Sequence, residues 1–227
     1  MARQPRKSRG GEVYHIMNRG NCRMEIFTTD ADYLAFVKLL EEGRERFGMR
    51  ILAYALMPNH WHLVLWPRRD GDLSRFVAWV ASTHVRRWRA QRQNVGEGHL
   101  YQGRFKSFPA QRDEHLYRVL RYVEGNPRRA KLVRKAERWR WTSLYDGPGE
   151  ENQTLGTDEW PVRRPADWRK RVNEAIEAAE LGRLRLSVVR GRPFGSDAWT
   201  RQAARRLGLE SSLRDPGRPK KTRKRER

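Results

Sequence analysis

Cysteine is almost missing: Cys22 is the only one in 227 residues. The chain can therefore form neither an internal disulfide nor a cysteine zinc cage, which suits a reducing cytoplasm. Long apolar runs are missing too. Mean hydropathy is −0.95, nothing approaches the roughly 18 consecutive apolar residues of a membrane-crossing helix, and no signal-type hydrophobic stretch follows the basic start at residues 1–9. Acidic residues are the third shortage, with 27 Asp and Glu against 49 Lys and Arg, a net charge of +22. A surface charged only for solubility mixes its signs more evenly. A sequence pI near 11.2 points to a polyanionic partner. Nucleic acid fits better than a membrane surface, because no apolar amphipathic face accompanies the charge. Hydrophobic residues at 37% and aromatics at 10% still suffice for a core, which excludes a wholly disordered chain.

Periodicity predicts a compact order of elements. Residues 13–17 read as a strand ending in the turn-prone Asn18-Arg19-Gly20-Asn21. Thr29 or Asp30 caps a helix to about Phe47, with Tyr33, Phe36, Val37 and Leu40 at i, i+3, i+4 and i+7, and Gly48 stops it. Strands at 51–56 and 61–66 join through Met57-Pro58-Asn59, and a helix marked by Leu73, Phe76, Val77 and Val80 follows. A fourth strand over 104–111 precedes a helix that starts at Asp113 and that Pro127 should end. This β-α-β-β-α-β order with an added helix predicts an α+β fold, a ferredoxin-like antiparallel sheet. Composition then shifts: 146–165 reads as a linker, and 166–227 as a basic, partly helical extension with helical patterns at 167–181 and 196–207. From Arg190 onward the chain carries 13 basic and four acidic residues.

Two places carry candidate chemistry. His60-Trp61-His62 falls on the third strand, so both imidazoles leave one face, about 7 Å apart at Cα. They can share a metal ion and leave positions open for substrate, the form a catalytic metal needs, although the same pair can simply hydrogen-bond. On the last helix of the order, Leu116, Val119, Leu120 and Val123 form the apolar stripe, flanked by Tyr117 and Tyr122. Asn126, four residues after Tyr122, shares its face and lies roughly opposite Tyr117. Taken singly, Tyr122 reads equally as a packing residue at the stripe edge, and Asn126 as a helix-ending Asn-Pro. Taken together on a basic chain, the groups suit a phosphodiester: an oxygen nucleophile attacks in line while a divalent cation polarises a phosphoryl oxygen.

The segments Met57-Pro58-Asn59-His60-Trp61-His62-Leu63-Val64 and Gly103-Arg104-Phe105-Lys106, followed by 117–130 with its Tyr122-Val123-Glu124-Gly125-Asn126-Pro127 centre, resemble the single-tyrosine HUH transposases. More closely, they resemble the REP-associated tyrosine transposases. The resemblance runs from about Gly11 to Tyr145 and implies a catalytic domain at 1–145. It implies a metal-dependent endonuclease and strand transferase acting on single-stranded, hairpin-forming DNA of the REP palindrome type. Tyr122 takes the place of the nucleophile that becomes a 5′-phosphotyrosine. His60, His62 and Asn126 take the metal positions, with magnesium or manganese as the usual ion; imidazole chemistry alone suits zinc equally. The family commonly has a glycine where Lys131 stands, which makes the local turn a point to examine. Such enzymes work as monomers or as homodimers.

Phosphate contacts are expected from Arg86, Arg87 and Arg89, and from Arg104 and Lys106, with Trp88, Tyr101 and Phe105 available to stack on splayed bases. The alternative is a solvated basic face with its aromatics anchored in the core. In the tail, Arg190-Gly191-Arg192-Pro193 and Gly217-Arg218-Pro219-Lys220-Lys221 resemble Arg-Pro hooks for a narrow minor groove. Two rival readings stay open at this point: a non-catalytic binder of DNA hairpins, and an RNA-binding protein, although ribonucleoprotein motifs are absent. The compartment expected is the cytoplasm, at the nucleoid.

Overall fold

Residues 8–93, 98–147 and 155–214 are described by a computed structural model. Its sheet has four strands, β1 (Val13–Arg19), β2 (Arg50–Met57), β3 (His60–Trp66) and β4 (Lys106–Ala110), paired antiparallel in the spatial order β2-β3-β1-β4. With α1 (Asp30–Phe47) after β1 and α2 (Asp72–Arg92) after β3, this is the expected ferredoxin-like arrangement. The first helix starts where predicted. Thr29 and Asp32 form a reciprocal capping box, satisfying two of the orphan N–H groups of the first turn. It stops at Gly48, whose φ of 59° lies in the left-handed region that glycine occupies without steric cost.

The sheet is covered on both faces, so β1, β2 and β3 are buried nearly end to end rather than alternating. Tyr14, Ile16, Trp61, Leu63 and Leu65 pack on the first face against α1 and α2. Val13, Met17, Val64, Phe108 and Ala110 line the second face, against α3 (Glu114–Glu124) and the C-terminal helices α5 (Trp168–Asn173) and α6 (Ala178–Arg190). All four stripe residues of α3 are fully buried.

The boundaries after the sheet differ from the expectation, each for a local reason. Gly125 rather than Pro127 ends α3; a Cβ there would meet the carbonyl oxygen of Arg121 at 2.8 Å. Asn126 and Pro127 then open a separate turn, α4 (Asn126–Arg129), where proline's missing donor costs nothing. Lys131 has φ of 60°, so the turn for which a glycine was expected is made with a lysine in the left-handed region. The helical pattern expected over 167–181 is broken after α5, because the Arg121 guanidinium takes the carbonyls of Arg171, Glu174 and Ala175 at 2.5, 3.3 and 3.0 Å. The next helix, α6, was not foreseen past 181; it runs to Arg190 and is closed by a left-handed Gly191. The last helix, α7 (Asp197–Leu207), matches its pattern.

Residues 155–165, within the stretch read as a linker, lie along the outer edge of β2. Asp158 exchanges bonds of 2.9 and 2.8 Å with the backbone of Ile51, and the Trp160 indole donates to the Leu52 carbonyl at 2.9 Å. At the other edge Phe194 pairs with β4. Both strand edges are thus blunted. Among the described residues, no helix is long and apolar enough to cross a membrane.

Candidate active site on the second face of the sheet

Strand parity sorts the His60-Trp61-His62 triplet. Trp61 turns to the first face, fully buried, and its indole donates to the Tyr101 hydroxyl at 2.9 Å. The two imidazoles leave the second face with ring centroids 5.0 Å apart. Tyr122, buried on α3, meets His62 and His15 edge-on, its ring 5.8 Å from that of His62 and 6.0 Å from that of His15. The phenol and the histidine pair therefore share one face, assembled within one chain. Asn126 is half-buried one turn beyond Tyr122, and its amide makes no hydrogen bond among the described residues.

Each imidazole is oriented by a neighbour. The Nδ1 of His60 donates to the Asn59 side-chain oxygen at 2.6 Å, since an amide oxygen can only accept. Asn59 is itself fixed by a bond of 3.3 Å from its amide nitrogen to the Arg23 carbonyl. This leaves the Nε2 lone pair of His60 free to bind an ion. His62 Nδ1 pairs with His15 Nε2 at 2.8 Å. When His62 donates in that bond, its own Nε2 is also an open lone pair. Burial pushes the His60 imidazole down to about 4 and His15 to about 3, and holds His62 well below the usual range, with His15 and His60 adding to it. All three are neutral near pH 7, the form that ligates metal. An open nitrogen on His60, a second on His62 in the tautomer that donates to His15, and the bonds that orient both rings fit a divalent cation with positions left for substrate.

Sequence reasoning missed three members of this surface. His15 was read only as part of a strand, yet its parity sets it on the face of His62. Arg19 stands directly opposite His60 in the β1–β3 register. Arg129 lies seven residues after Tyr122, at the end of α4, and its guanidinium carbon lies 4.5 Å from the Tyr122 ring centroid. The signal for His15 and Arg19 was available as pairing parity.

The tyrosine helix is tied to the C-terminal region. Tyr117 donates to the Arg163 carbonyl at 2.6 Å. Glu124, almost fully buried, accepts from Ser143 at 2.7 Å and from the Trp168 indole at 2.6 Å. Burial holds its carboxyl above the usual range. A second group of ligand-type atoms, from Asp113, Glu114 and His115, falls within 4.8 Å at the opposite end of α3 from Tyr122. There Asp113 caps the helix and accepts from His115 at 2.8 Å.

The expected DNA contacts divide. Lys106 is exposed and in line with Met17 and, through it, His62, on the same sheet face as Phe108. Arg104 is exposed just before β4 and shares a groove with Lys106 and Arg190. Arg86, Arg87 and Arg89 lie instead on α2, in the layer on the other face. Arg87 makes a two-bond ion pair with Glu42, Arg86 reaches Thr83, and Arg89 donates to the Gly98 carbonyl. Two of the aromatics expected to stack on bases belong to the core: Trp88 is buried and donates to the Ile26 carbonyl at 3.0 Å, and Tyr101 is buried beside Trp61. Arg192 is half-buried in a segment built into the fold, with Pro193 and Phe194 buried and Arg190 bonded to the Ser211 and Ser212 carbonyls. Arg218, Lys220 and Lys221 lie outside the described residues.

The family model of IS200-like transposases matches residues 11–126, from just before β1 to the first residue of α4. A solved structure described as a REP-associated tyrosine transposase bound to a REP hairpin is 19% identical, with a TM-score of 0.51, covering 70% of this chain and 98% of that one. At that identity the likeness is one of fold. A Deinococcus radiodurans protein provisionally classed as a transposase is 20% identical over 51% of this chain and 88% of its own, with a TM-score of 0.37. No curated protein matches.

Proposed function

Because this chain belongs to the IS200-like transposase family, we propose that it is a divalent-metal-dependent endonuclease and strand transferase for single-stranded, hairpin-forming DNA, working through Tyr122. The observation that carries this reading is the edge-on contact of Tyr122 with His62, on the face that also presents His60.

The phenol oxygen of Tyr122 attacks the scissile phosphorus in line. The Tyr122 O–P bond forms, the P–O3′ bond breaks, and the proton lost by the phenol is balanced by the one the departing 3′ oxygen takes up. A 5′-phosphotyrosine and a free 3′ hydroxyl result. The phosphotyrosine conserves the energy of the broken linkage, so a 3′ hydroxyl can later attack it and release the phenol without ATP. His60, His62 and Asn126 would hold the metal; when bound, magnesium or manganese polarises a phosphoryl oxygen and offsets charge in the transition state. Asn59 and His15 keep the two imidazoles turned with Nε2 outward. Tyr122 is held on its own sheet through Glu124 and Arg121, so a single chain can carry the whole site.

The solved relative bound to a REP hairpin supports a hairpin of that kind as substrate here. Lys106, in line with His62 through Met17, and Arg104, which shares a groove with Lys106, are assigned to the phosphate backbone. Arg192, Arg218, Lys220 and Lys221 are assigned to accessory contacts by a C-terminal DNA-binding segment. The test is capture of an end-labelled hairpin oligonucleotide in a denaturing gel. Wild-type protein with magnesium should give a shifted covalent adduct that EDTA prevents, and Tyr122→Phe should bind the oligonucleotide and give none. An adduct of undiminished yield with Tyr122→Phe would refute the assignment.

A further inference from the structure

Two cations border the phenol and the histidine pair, and the reaction as written uses neither. Arg19 faces His60 across the β1–β3 pairing, so both side chains stand on the second face. Its Nε is buried with no partner. Arg129 covers the Tyr122 ring and donates to the Tyr122 carbonyl oxygen. Among the described residues neither arginine belongs to an ion pair. Burial lowers the Arg129 guanidinium to about 10, which leaves it charged at neutral pH. A largely buried cation without a counter-charge is unfavourable, and an anion that arrives beside it offsets that cost.

The anion that reaches this face in the proposed reaction is a phosphodiester. We infer that Arg129 is a catalytic residue that holds a non-bridging oxygen of the scissile phosphate beside Tyr122, with Arg19 closing the opposite side above His60. The inference rests on the reading of Tyr122 as nucleophile. The guanidiniums form and break no covalent bond. The Tyr122 O–P bond still forms, P–O3′ still breaks, and the arginines offset the charge that gathers on the phosphoryl oxygens between those events. A planar fork of donors suits that task, because it can meet two oxygens in fixed geometry.

The rival role for Arg129 is structural, a lid that only supports the Tyr122 ring. A substrate with a methylphosphonate at the scissile position separates the two, since one charged non-bridging oxygen is replaced by a neutral methyl group. On the ordinary phosphodiester, Arg129→Ala should slow covalent capture by about 10²–10³-fold, the usual loss when one charge-stabilising donor is removed, while affinity for the oligonucleotide changes little. On the methylphosphonate the gap between variant and wild type should shrink to a few-fold. A deficit of the same size on both substrates, or no deficit on either, overturns the inference. If Arg129→Ala does not fold, Arg129→Lys and Arg19→Ala carry the same comparison, with a smaller phosphodiester deficit expected for the lysine. Capture by the wild-type protein is measured first: no Tyr122 adduct there would sink the function itself and this inference with it, whereas a normal adduct with insensitive arginine variants would sink the inference alone.

Discussion

Histidine sits on both faces of one sheet, His84 of α2 against the first face and His60 and His62 of β3 on the second, and the surroundings differ. On the first face His84 lies among Phe27, Phe36 and Tyr101, bonded at 2.6 Å to the hydroxyl that also receives the Trp61 indole. That is a closed arrangement inside an aromatic core. On the second face His60 and His62 each use Nδ1 in an orienting bond, which leaves Nε2 of His60 open, and that of His62 open when it donates to His15, beside a phenol and two arginines that make no ion pair among the described residues. The same residue type is a packing element in one place and a candidate ligand in the other. The difference lies in the neighbours and not in burial, which pushes His84 to about 3 much as it does His15.

Substitutions can break this contrast. The largest effect is expected from His62→Ala, which should abolish metal-dependent capture and reduce manganese binding, followed by calorimetry, beyond detection. His84→Ala should leave metal affinity intact and instead lower stability by about 2–4 kcal/mol, the range for emptying a packed core position, read by urea denaturation. Next comes His15→Ala, which removes the orienting bond to His62 together with the ring contacts to Phe108 and Tyr122. It should weaken manganese binding about 10–100-fold, as loss of a second-shell partner does; unchanged affinity would mean that His15 is ordinary core.

Acid should act on both faces together. The folded chain keeps His15 and His84 neutral down to about pH 3, whereas the unfolded chain protonates them near 6.5. Between those values the unfolded state binds more protons, so stability falls as pH drops from 6.5 toward 3 and is fully present above 6.5. Melting temperatures at pH 7.5 and 5 should show the drop, and His84→Gln should flatten it. The smallest effects lie away from both faces. Trp88→Phe should cost about 1 kcal/mol through its lost hydrogen bond without changing affinity for single-stranded DNA; weakened DNA binding in a fully folded variant would restore Trp88 as a stacking platform. Lys131→Gly should stabilise by about 1 kcal/mol in thermal melts, by relieving a left-handed non-glycine residue.

Much of this was legible because local signals agreed. Thr29 and Gly48 mark the ends of α1 by capping chemistry. The period-two pattern put His60 and His62 together, and the i, i+4 spacing singled out Tyr122 over Tyr117. What stayed hidden depends on which strands become neighbours. His15 and Arg19 acquire a role only when β1 lies beside β3, and a strand covered on both faces shows no alternation to mark one side of it as special. Trp88 and Tyr101 look like stacking aromatics in sequence because basic residues surround them, but their polar edges reach partners distant in the chain. The break after α5 was invisible for a similar reason. The group that ends the helix is Arg121, some fifty residues earlier.

The central claim is that the phenol facing His62 becomes joined to DNA, and peptide mapping reads it directly. After incubation with a hairpin oligonucleotide and magnesium, followed by nuclease and trypsin, the account predicts a nucleotide mass on the peptide 122–128, whose only tyrosine is Tyr122. A nucleotide mass on the neighbouring peptide that carries Tyr117, or none on either in a sample that has cut its substrate, would contradict it.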